Sequence, residues 1–570
     1  MSSRKPLFAV LTVAALAALW LATGASATVY CVDDTPGELA DNGSVDASCE
    51  TGKATIAEAV TAANSHAGAD SVLIGPGEFT LAPSGNIGVY YYSTEAANTL
   101  VLRGSGAGKT HLTMGSTSGY STGLWLYAPA GSKVGDLELT IPANSDGMGD
   151  VGAIIASGLV AEDLVVDGPA ATNATGVRLG AGTPSLRHST VEMPIAASPT
   201  DNAVASTDSG ATKVVDSWVS GDMGAVGSGG TVTVERTTVD ARIGVTTDSG
   251  AIVVRDSLIQ LGNRNSSTGV NAANFNASNS PIQATVDGVT IVGGASNSVG
   301  VRAQADNGEE ATSVTVTSTE IEGPLRPLQV LADKGRTASL SVSHSNLDAA
   351  LVQVNGDLAA GGETGTAHYE ETEVTDLAPG FADAAAGDYR LAEGSALIDR
   401  GDPAAPPAEE LDLDGRARAL SGTCAAAVAP RRDVGAYELA PSCAEEAASP
   451  QGGGSEDPAG PGGSSPSGST ADPGAGTNAA VPPETAIKGP RRIATAGKWA
   501  RVSLRLSALG EASGFRCEID GKARACGEAL ALRLKPGRHT IRAWALGPAG
   551  ADPSPARIVV RVVAKRPAHA

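Results

Sequence analysis

The chain has 570 residues, of which 40 are Lys or Arg and 62 are Asp or Glu, so its formal net charge is −22 at pH 7. This length allows two to four domains. Only 3% of the residues are aromatic, which argues against a large sugar-binding or base-stacking platform. The 71 glycines and the many Ala and Val residues instead suit thin and regular β architecture.

Residues 1–27 have the pattern of a signal peptide. Arg4 and Lys5 precede an apolar run from Leu7 to Leu21, and Ala25-Ser26-Ala27 supplies small residues for cleavage. No second apolar stretch approaches 18 residues, so we predict no transmembrane anchor in the mature chain. The predicted location is secreted and extracellular, with association at the cell surface left open.

Because the chain is predicted to be exported to an oxidising environment, its six cysteines are expected to form disulfides. Their proximity in sequence suggests three local pairs: Cys31 with Cys49, Cys424 with Cys443, and Cys517 with Cys526. A zinc site would need C-x-x-C spacing with nearby histidines, and the sequence has neither. We therefore predict no metal at these cysteines.

The segment GSGAGKT, residues 104–110, resembles a phosphate-binding P-loop only at first sight. The two glycines of a P-loop are five positions apart, whereas Gly104 and Gly108 are four apart. The following His111 to Met114 alternate polar and apolar residues like a strand, not like the helix that a P-loop opens. We predict two short strands joined by this glycine-rich corner, and no nucleotide.

One unit recurs between residues 131 and 350 with a mean period near 26. Its apolar anchors are Leu139, Val166, Val191, Val219, Val239, Ile259, Ile291, Ile321 and Leu347. Two positions earlier stand Leu137, Leu164, Ser189, Ser217, Thr237, Ser257, Val289, Thr319 and Ser345. Both columns lie on the same side of a period-2 strand and are predicted to point inward.

A second strand in each unit begins at a Gly-Val step, as in Gly176-Val177, Gly244-Val245, Gly269-Val270 and Gly300-Val301. Primed-turn signals for hairpins are largely missing, and the aromatic signatures and longer units of a β-propeller are absent. The pattern predicts an all-β parallel solenoid in which equivalent strands stack about 4.8 Å apart around a narrow apolar core.

These features resemble the right-handed parallel β-helix proteins of the pectate-lyase-like superfamily, over residues 28–440. The segment TIAEAVTAANSHAGAD from Thr55 is similar to the entry of many secreted β-helix proteins, and Ile56, Val60 and Ala63 predict a short capping helix. DYRLAEGSALIDRGDP, DLDGRAR and RRDVGAYEL are similar to the C-terminal part of the choice-of-anchor Q class of exported bacterial proteins. That class is defined by its layout and implies no reaction.

The C-terminal region differs in charge from the rest. Residues 441–482 are rich in Gly, Ser and Pro and predict a flexible linker. From Pro483 onward, 17 basic residues face 6 acidic ones, a net charge of +11. Residues 483–570 resemble the small immunoglobulin-like β-sandwiches of exported bacterial proteins. Such a module could dock on anionic envelope polymers or on its own acidic solenoid. Because the chain is predicted to be exported and the module has only two Trp and one Phe, we predict no nucleic-acid binding.

The candidate site is a polar column three residues before the anchors, at Asp136, Asp163, His188, Asp216, Arg236 and Asp256, continued by Gly288, Ser318 and His344. As chemistry, Asp groups binding Ca²⁺ beside an Arg base would equip a polysaccharide lyase. As structure, Asp, Ser and His at corners bond the local backbone, and neighbouring Asp and Arg neutralise one another. We favour the structural interpretation, and no family residue can be carried over.

Two further groups have open roles. Glu410, Asp412, Asp414 and Gly415 approach a calcium loop, but Ser421 stands at the position of its bidentate glutamate. We favour a capping turn and predict no cofactor, with calcium as the alternative. The aromatic residues Tyr90, Tyr91, Tyr92, Tyr120, Trp125 and Tyr127 could stack on sugars, but the favoured interpretation is packing at the N-terminal end of the solenoid.

The sequence thus predicts a secreted or cell-surface protein that is structural, adhesive or glycan-binding, with a polysaccharide or another cell-envelope polymer as its partner. The alternative is a polysaccharide lyase or glycoside hydrolase that acts on acidic polysaccharide.

Overall fold

The structure is a computed structural model. It describes residues 27–32, 51–82, 85–115, 119–143, 149–168, 174–194, 201–207, 210–227, 229–274, 281–306, 311–333, 335–355, 364–404, 406–407, 409–418, 431–439, 484–488, 492–495, 498–509, 512–520, 522–527, 529–535, 537–547, 550–551 and 556–564. Within these residues, 31 strands form one continuous sheet with parallel pairing throughout. The predicted parallel β-helix is therefore confirmed.

Each coil presents three faces, which we number in chain order. The first face contains Val29–Val32, Thr51–Lys53, Asp70–Ile74, Leu100–Arg103, Ser185–Arg187, Ala211–Val215, Thr231–Glu235, Gly250–Arg255, Ile282–Asp287, Thr312–Thr317, Thr337–Ser343 and Thr366–Thr372. The second contains Gly77–Leu81, Thr110–Met114, Thr190–Glu192, Leu258–Gly262, Thr290–Gly293 and Glu320–Glu322. The third contains Ile87–Tyr92, Thr122–Ala128, Val151–Ser157, Thr175–Gly182, Asn202–Ser206, Thr268–Asn274, Val299–Ala305, Arg326–Ala332 and Gln353–Asn355.

Four longer strands bend from one face to the next. Lys133–Thr140 and Val160–Asp167 pass from the first face to the second, and Trp218–Gly227 and Thr238–Thr247 pass from the second to the third. The nine predicted anchors are all buried. Register pairs join them in order along the second face, for example Val219 with Val239 and Ile259 with Ile291. The core is thus the predicted ladder of Val, Ile and Leu.

The second predicted inward column forms a ladder of hydroxyl groups. The Thr237 Oγ1 accepts the Ser217 N–H of the preceding coil at 3.3 Å and donates to the Glu235 carbonyl oxygen at 2.8 Å. The Thr237 N–H in turn donates to the Ser257 Oγ at 3.2 Å. These hydroxyls satisfy buried amides at the corner between the first and second faces, where backbone ladder bonds are interrupted.

Thr237→Val is expected to destabilise the solenoid by about 1–3 kcal/mol, because the buried Ser217 amide loses its acceptor while the side-chain volume is kept. Equilibrium unfolding in urea measures this change. Thr233→Val, at the half-buried outward position of the same coil, is the control and should change stability by less than about 0.5 kcal/mol. Equal stabilities of the two variants would contradict the hydroxyl ladder.

The Gly-Val steps of the third face are explained by close backbone contact between coils. A Cβ on Gly244 would lie 2.4 Å from the Gly269 carbonyl oxygen, and one on Gly269 would lie 2.6 Å from the Gly300 carbonyl oxygen. Since real Cβ atoms do not approach so closely, glycine lets each coil stack on the next at these positions.

The N-terminal end is capped as predicted. The helix Ile56–Ser65 begins at Thr55, whose Oγ1 accepts the Glu58 N–H at 3.1 Å. It buries Ile56, Ala59, Val60 and Ala63 against the first coils and so covers their exposed edge.

The P-loop-like segment forms the predicted corner between Leu100–Arg103 and Thr110–Met114. Gly106 has a φ of 118°, a conformation that favours glycine. The Thr110 Oγ1 is buried, accepts the Ser105 N–H at 2.8 Å and donates to the Gly75 carbonyl oxygen at 2.8 Å. Lys109 is exposed, as predicted for a solvated corner.

After the last coil, the elements Phe381–Asp383, Ala384–Ala386 and Asp388–Leu391 begin a segment whose described residues, as far as residue 439, form little regular structure. We call its described residues 373–404, 406–407, 409–418 and 431–439 the C-terminal cap. It has a small apolar cluster of its own around Leu391, Leu397 and Val434.

The C-terminal module is a β-sandwich. One sheet contains Glu484–Lys488, Ala500–Leu509 and Ala529–Leu534. The other contains Arg492–Thr495, Gly514–Ile519, Lys522–Cys526, Gly537–Gly547, Gly550–Ala551 and Ala556–Ala564. Buried residues of both sheets, such as Leu504 and Ile541, form one core.

The predicted disulfide between Cys517 and Cys526 is present, with their Cα atoms 5.9 Å apart. Cys31 is also disulfide-bonded, but its predicted partner Cys49 lies outside the described residues. Cys424 and Cys443 lie outside them as well, so these two pairings stay predictions. The signal peptide and the linker also fall outside the described part of the chain.

Candidate functional site

The predicted polar column lies at the corner between the first and second faces. Its six residues, which register pairs place one above another in consecutive coils, share a backbone conformation with φ between 43° and 54°. They are Asp136, Asp163, His188, Asp216, Arg236 and Asp256. This left-handed conformation is what the sharp corner requires, and Asp tolerates it better than most residues do. The residue types in the column are therefore explained first by the backbone conformation that the corner requires.

Charges alternate along the exposed half of the column. The Arg236 guanidinium binds Asp216 through Nε at 2.8 Å and through Nη2 at 3.1 Å, and it also contacts Glu235. Although burial opposes it, the hydrogen bonds and charge of Asp216 raise the pKa of Arg236. A protonated arginine held by two carboxylates is the opposite of what a general base needs.

His188 is likewise engaged with carboxylates. Its Nδ1 lies 3.6 Å from Glu162 Oε1, and its Nε2 lies 3.7 Å from Asp216 Oδ2. The interaction with Glu162 raises the pKa of His188, and the same interaction lowers the pKa of Glu162 to about 2. The geometry favours the neutralising role over the proposed lyase chemistry, which stays an untested hypothesis.

The C-terminal cap covers the other half of the column. Arg418, only 1% exposed, lies 2.9 Å from Asp256 and 2.8 Å from Glu438. A Cβ on Gly288 would lie 2.0 Å from the Arg418 Nη2, so the glycine in the column makes room for this side chain. Burial raises the pKa of Asp256 to about 7 and that of Glu438 to about 9. These carboxyls belong to a closed structural network.

The calcium-like loop is part of this cap. The Asp412 Oδ1 accepts the Arg416 N–H at 2.6 Å, and its Oδ2 accepts the Glu438 N–H at 2.8 Å. The Glu410 Oε2 accepts the Arg432 Nη2 at 2.8 Å. Gly415 has a φ of 76°. This arrangement favours the capping turn; Ser421 lies outside the described residues.

The outward side of the third face carries the predicted aromatic cluster. Tyr91 points inward and is buried, and its hydroxyl donates to the Asn98 carbonyl oxygen at 2.9 Å. The exposed side chains are Tyr90 at 46%, Tyr92 at 49%, Tyr120 at 37% and Trp125 at 37%. The packing interpretation is therefore right for Tyr91 and wrong for these four. Alternation along the strands turns Tyr90, Tyr92 and Trp125 to solvent, and Tyr120 lies just before the strand Thr122–Ala128.

These rings form a coherent surface, which we call the aromatic platform: Tyr90, Tyr92, Tyr120, Trp125 and Tyr127. Tyr90 and Trp125 meet edge to face with ring centroids 5.9 Å apart, and Tyr92 stacks on Tyr127 at 4.7 Å. The Arg178 Nη1 donates to the Tyr120 hydroxyl at 3.0 Å. Neighbouring coils thus hold the rings in place while much of their surface stays open.

The same face carries a cavity of about 410 Å³ farther along the solenoid. The residues that line it include Arg242, Thr246, Asp248, Asn271 and Arg302. Its volume lies in the usual range of ligand pockets. The sequence prediction missed this group. The sequence feature that could have revealed it is the polar residue directly after each Gly-Val step, namely Arg178, Thr246, Asn271 and Arg302.

The platform and the cavity belong to one row of the third face. Register pairs connect Trp125 to Arg302 through Ile154, Arg178, Ala205, Val226, Thr246 and Asn271. Seven steps at about 4.8 Å correspond to roughly 34 Å. The row is long enough to meet many units of a polymer at once.

No family model matches the chain, and no curated protein matches it. Among solved structures, the chain is similar to the catalytic unit of a thermostable GH87 alpha-1,3-glucanase from Streptomyces thermodiastaticus strain HF3-3. The identity is 13%, the TM-score is 0.34, and the match covers 57% of this chain and 67% of the glucanase unit. No helix in the described ranges is long and apolar enough to cross a membrane.

Proposed function

We propose that this chain is a secreted or cell-surface protein that binds a polysaccharide along its third face. The observation that carries the proposal is the aromatic platform, where the half-exposed rings of Tyr90, Tyr92 and Trp125 lie on a sheet and that of Tyr120 lies next to it. Tyr and Trp supply large rigid contact area with polar tips and are often the residues that dominate binding energy. Such rings can stack on the apolar faces of sugar rings while polar groups along the row meet hydroxyls.

The architecture suits an extended ligand. A solenoid repeats nearly the same surface every coil, and repeat proteins use such surfaces for elongated partners. We further propose that the chain belongs to the choice-of-anchor Q class of the pectate-lyase-like superfamily, with an immunoglobulin-like C-terminal module. The corner pattern, the cap helix and the RRDVGAYEL segment in the C-terminal cap support this assignment.

Trp125→Ala is expected to weaken polysaccharide binding at least tenfold, because a central aromatic contact typically contributes more than 1 kcal/mol. Affinity electrophoresis against a panel of soluble neutral and acidic polysaccharides measures the change. The matched control is Trp499→Ala, which removes an exposed Trp of the sandwich. Unchanged retardation of the Trp125 variant, or equal loss in both variants, would refute binding on the platform.

The alternative function, a polysaccharide lyase or glycoside hydrolase, is tested with the same panel. A glycosidase of the common type needs two carboxyl groups flanking the bond to be cleaved, and a lyase releases unsaturated uronides. Binding without new reducing ends or ultraviolet absorbance supports a binding protein. Product release that Trp125→Ala abolishes would replace this proposal with the enzymatic one.

A further inference from the structure

The cavity on the third face contains a cation without an acidic partner. The Arg302 Nε donates to the Gln329 Oε1 at 2.6 Å, and the Gln329 Nε2 donates to the Gln353 Oε1 at 2.6 Å. These neutral amides orient the guanidinium but do not balance its charge. Within the described ranges, no ion pair joins Arg302 to a carboxylate. Burial, with the nearby charge of Arg326, lowers the pKa of Arg302. A lowered arginine pKa means that the surroundings do not compensate the positive charge of the guanidinium.

The other arginine of the cavity is different. Arg242 donates to Asp222 through Nε at 2.9 Å and through Nη2 at 3.0 Å, and Asp222 is completely buried. This bidentate pair is neutral as a whole and holds one wall of the cavity in place. Arg302 is therefore the arginine of the lining that can pair with an anionic ligand. Asp248, the one acidic residue among the lining residues described, accepts the Ser249 hydroxyl at 3.0 Å.

Asn271 supplies a second, independent indication of a ligand. Its side chain is 3% exposed, and its Nδ2 donates to the Thr246 Oγ1 at 3.1 Å. Its Oδ1 is buried at the cavity and accepts no hydrogen bond from any residue that the structure describes. A buried acceptor without a donor costs free energy unless a ligand or water supplies one. Because Asn271 and Arg302 are register partners in adjacent strands, one small molecule can reach both.

From these groups we infer that the cavity recognises an acidic sugar unit of the bound glycan, with its anionic substituent at Arg302 and a neighbouring hydroxyl at the Asn271 Oδ1. A guanidinium binds a carboxylate or a sulfate ester through paired hydrogen bonds. A sugar hydroxyl is the donor that the amide oxygen lacks. This inference rests on the proposed polysaccharide binding and adds to it the substrate class and the position of the charge.

The test compares three oligosaccharides by calorimetry on the full chain: an oligouronide, its carboxyl-reduced neutral counterpart, and a sulfated neutral oligosaccharide. The wild type is expected to bind the oligouronide at least tenfold more tightly than the reduced counterpart, and this preference weakens with salt. Tighter binding of the sulfated compound would identify a sulfate ester as the anion. Equal affinity for all three would overturn the inference.

Two variants locate the effect. Arg302→Met removes the cation, and the nearly isosteric Asn271→Asp places a carboxylate beside it, so both are expected to abolish the preference for the acidic ligand. Arg255→Met removes an exposed arginine of the first face and should keep the preference. If the preference survives in Arg302→Met, the inference is wrong even when that variant folds normally by circular dichroism.

The two proposals can fail separately. One outcome is that the reduced oligosaccharide binds in a way that depends on Trp125 while the acidic ligands bind no more tightly than it does. That result would support the polysaccharide-binding proposal and contradict the acidic subsite. Free hexuronate is too short to reach the platform and tests the cavity directly. Its binding by the wild type and loss in Arg302→Met would support the subsite even if no polysaccharide bound.

Discussion

Replacing Arg418 with methionine is expected to destabilise the C-terminal cap by about 3–5 kcal/mol, the usual cost of breaking a buried ion pair from one side. Methionine keeps most of the volume but leaves Asp256 and Glu438 buried without their cation. The Arg418 Nη2 also donates to the Gly435 carbonyl oxygen at 2.9 Å. The cap would lose its ion pair with Asp256 of the polar column.

Hydrogen exchange of the Ala436 amide measures this effect, because that amide donates across the interface to the Thr290 Oγ1 at 2.8 Å. Faster exchange by two orders of magnitude or more is expected in Arg418→Met. The control is Arg400→Met at an exposed arginine of the cap, with little change expected. Equal protection in wild type and Arg418→Met would show that the buried network does not anchor the cap.

Glu320→Gln is expected to stabilise the protein, and increasingly so as the pH rises. Glu320 is fully buried, and among the described residues neither of its carboxyl oxygens has a hydrogen-bond partner of normal length. The nearby Asn346 amide, which lowers its pKa in part, also donates to the Leu377 carbonyl oxygen at 2.8 Å. Burial dominates and raises the pKa of Glu320 from 4.5 to about 8.

The sign follows from proton linkage. A carboxyl with a raised pKa in the folded state contributes stability below pH 4.5, and this contribution is lost as the pH rises towards 8. Glutamine does not titrate, so its advantage should be smallest near pH 4.5 and should reach an order of 2–4 kcal/mol near pH 8. Unfolding midpoints of both proteins across this range measure the difference.

The control is Glu370→Gln, at an exposed position of a first-face strand, for which the difference from wild type should stay nearly constant with pH. A difference for Glu320→Gln that is flat or falls with rising pH would contradict the raised pKa. Asp256 of the polar column and Asp433 and Glu438 of the cap also have raised pKa values, and the comparison with wild type cancels their contribution.

The coil-by-coil repeat could be predicted because it depends on the spacing of residues that are close in sequence. Val219, Val239 and Ile259 recur with a Ser or Thr two positions earlier, and only a stacked strand turns both columns inward. The corner column could be predicted as well, since Asp136 and Asp216 hold the same offset from their anchors. Mutual neutralisation of neighbouring Asp and Arg could be predicted too. What the spacing did not show is the left-handed backbone conformation that the corner imposes on these residues.

The candidate site was harder to predict because it depends on which side of a strand faces solvent and on contacts between distant segments. Composition argued against an aromatic platform, yet a few rings suffice when Tyr90, Tyr92 and Trp125 fall on outward positions of adjacent coils. The cavity brings together Arg242, Asn271 and Arg302, which are separated by 29 and 31 residues in sequence. No short sequence motif could predict that these residues lie close together.

The sequence by itself determined the architecture: a chain with a period-2 apolar pattern repeated about every 26 residues, and with glycines where coils touch, can bury its core only by stacking parallel strands. Only the tertiary structure decided where function could lie. Arg418 reaches across from the cap to close one half of the polar column, while Arg302 lines a cavity and pairs with no carboxylate in the described part of the chain. Both outcomes depend on charges brought together across long stretches of chain, and electrostatic energy depends on distance and burial in space, not on separation in sequence.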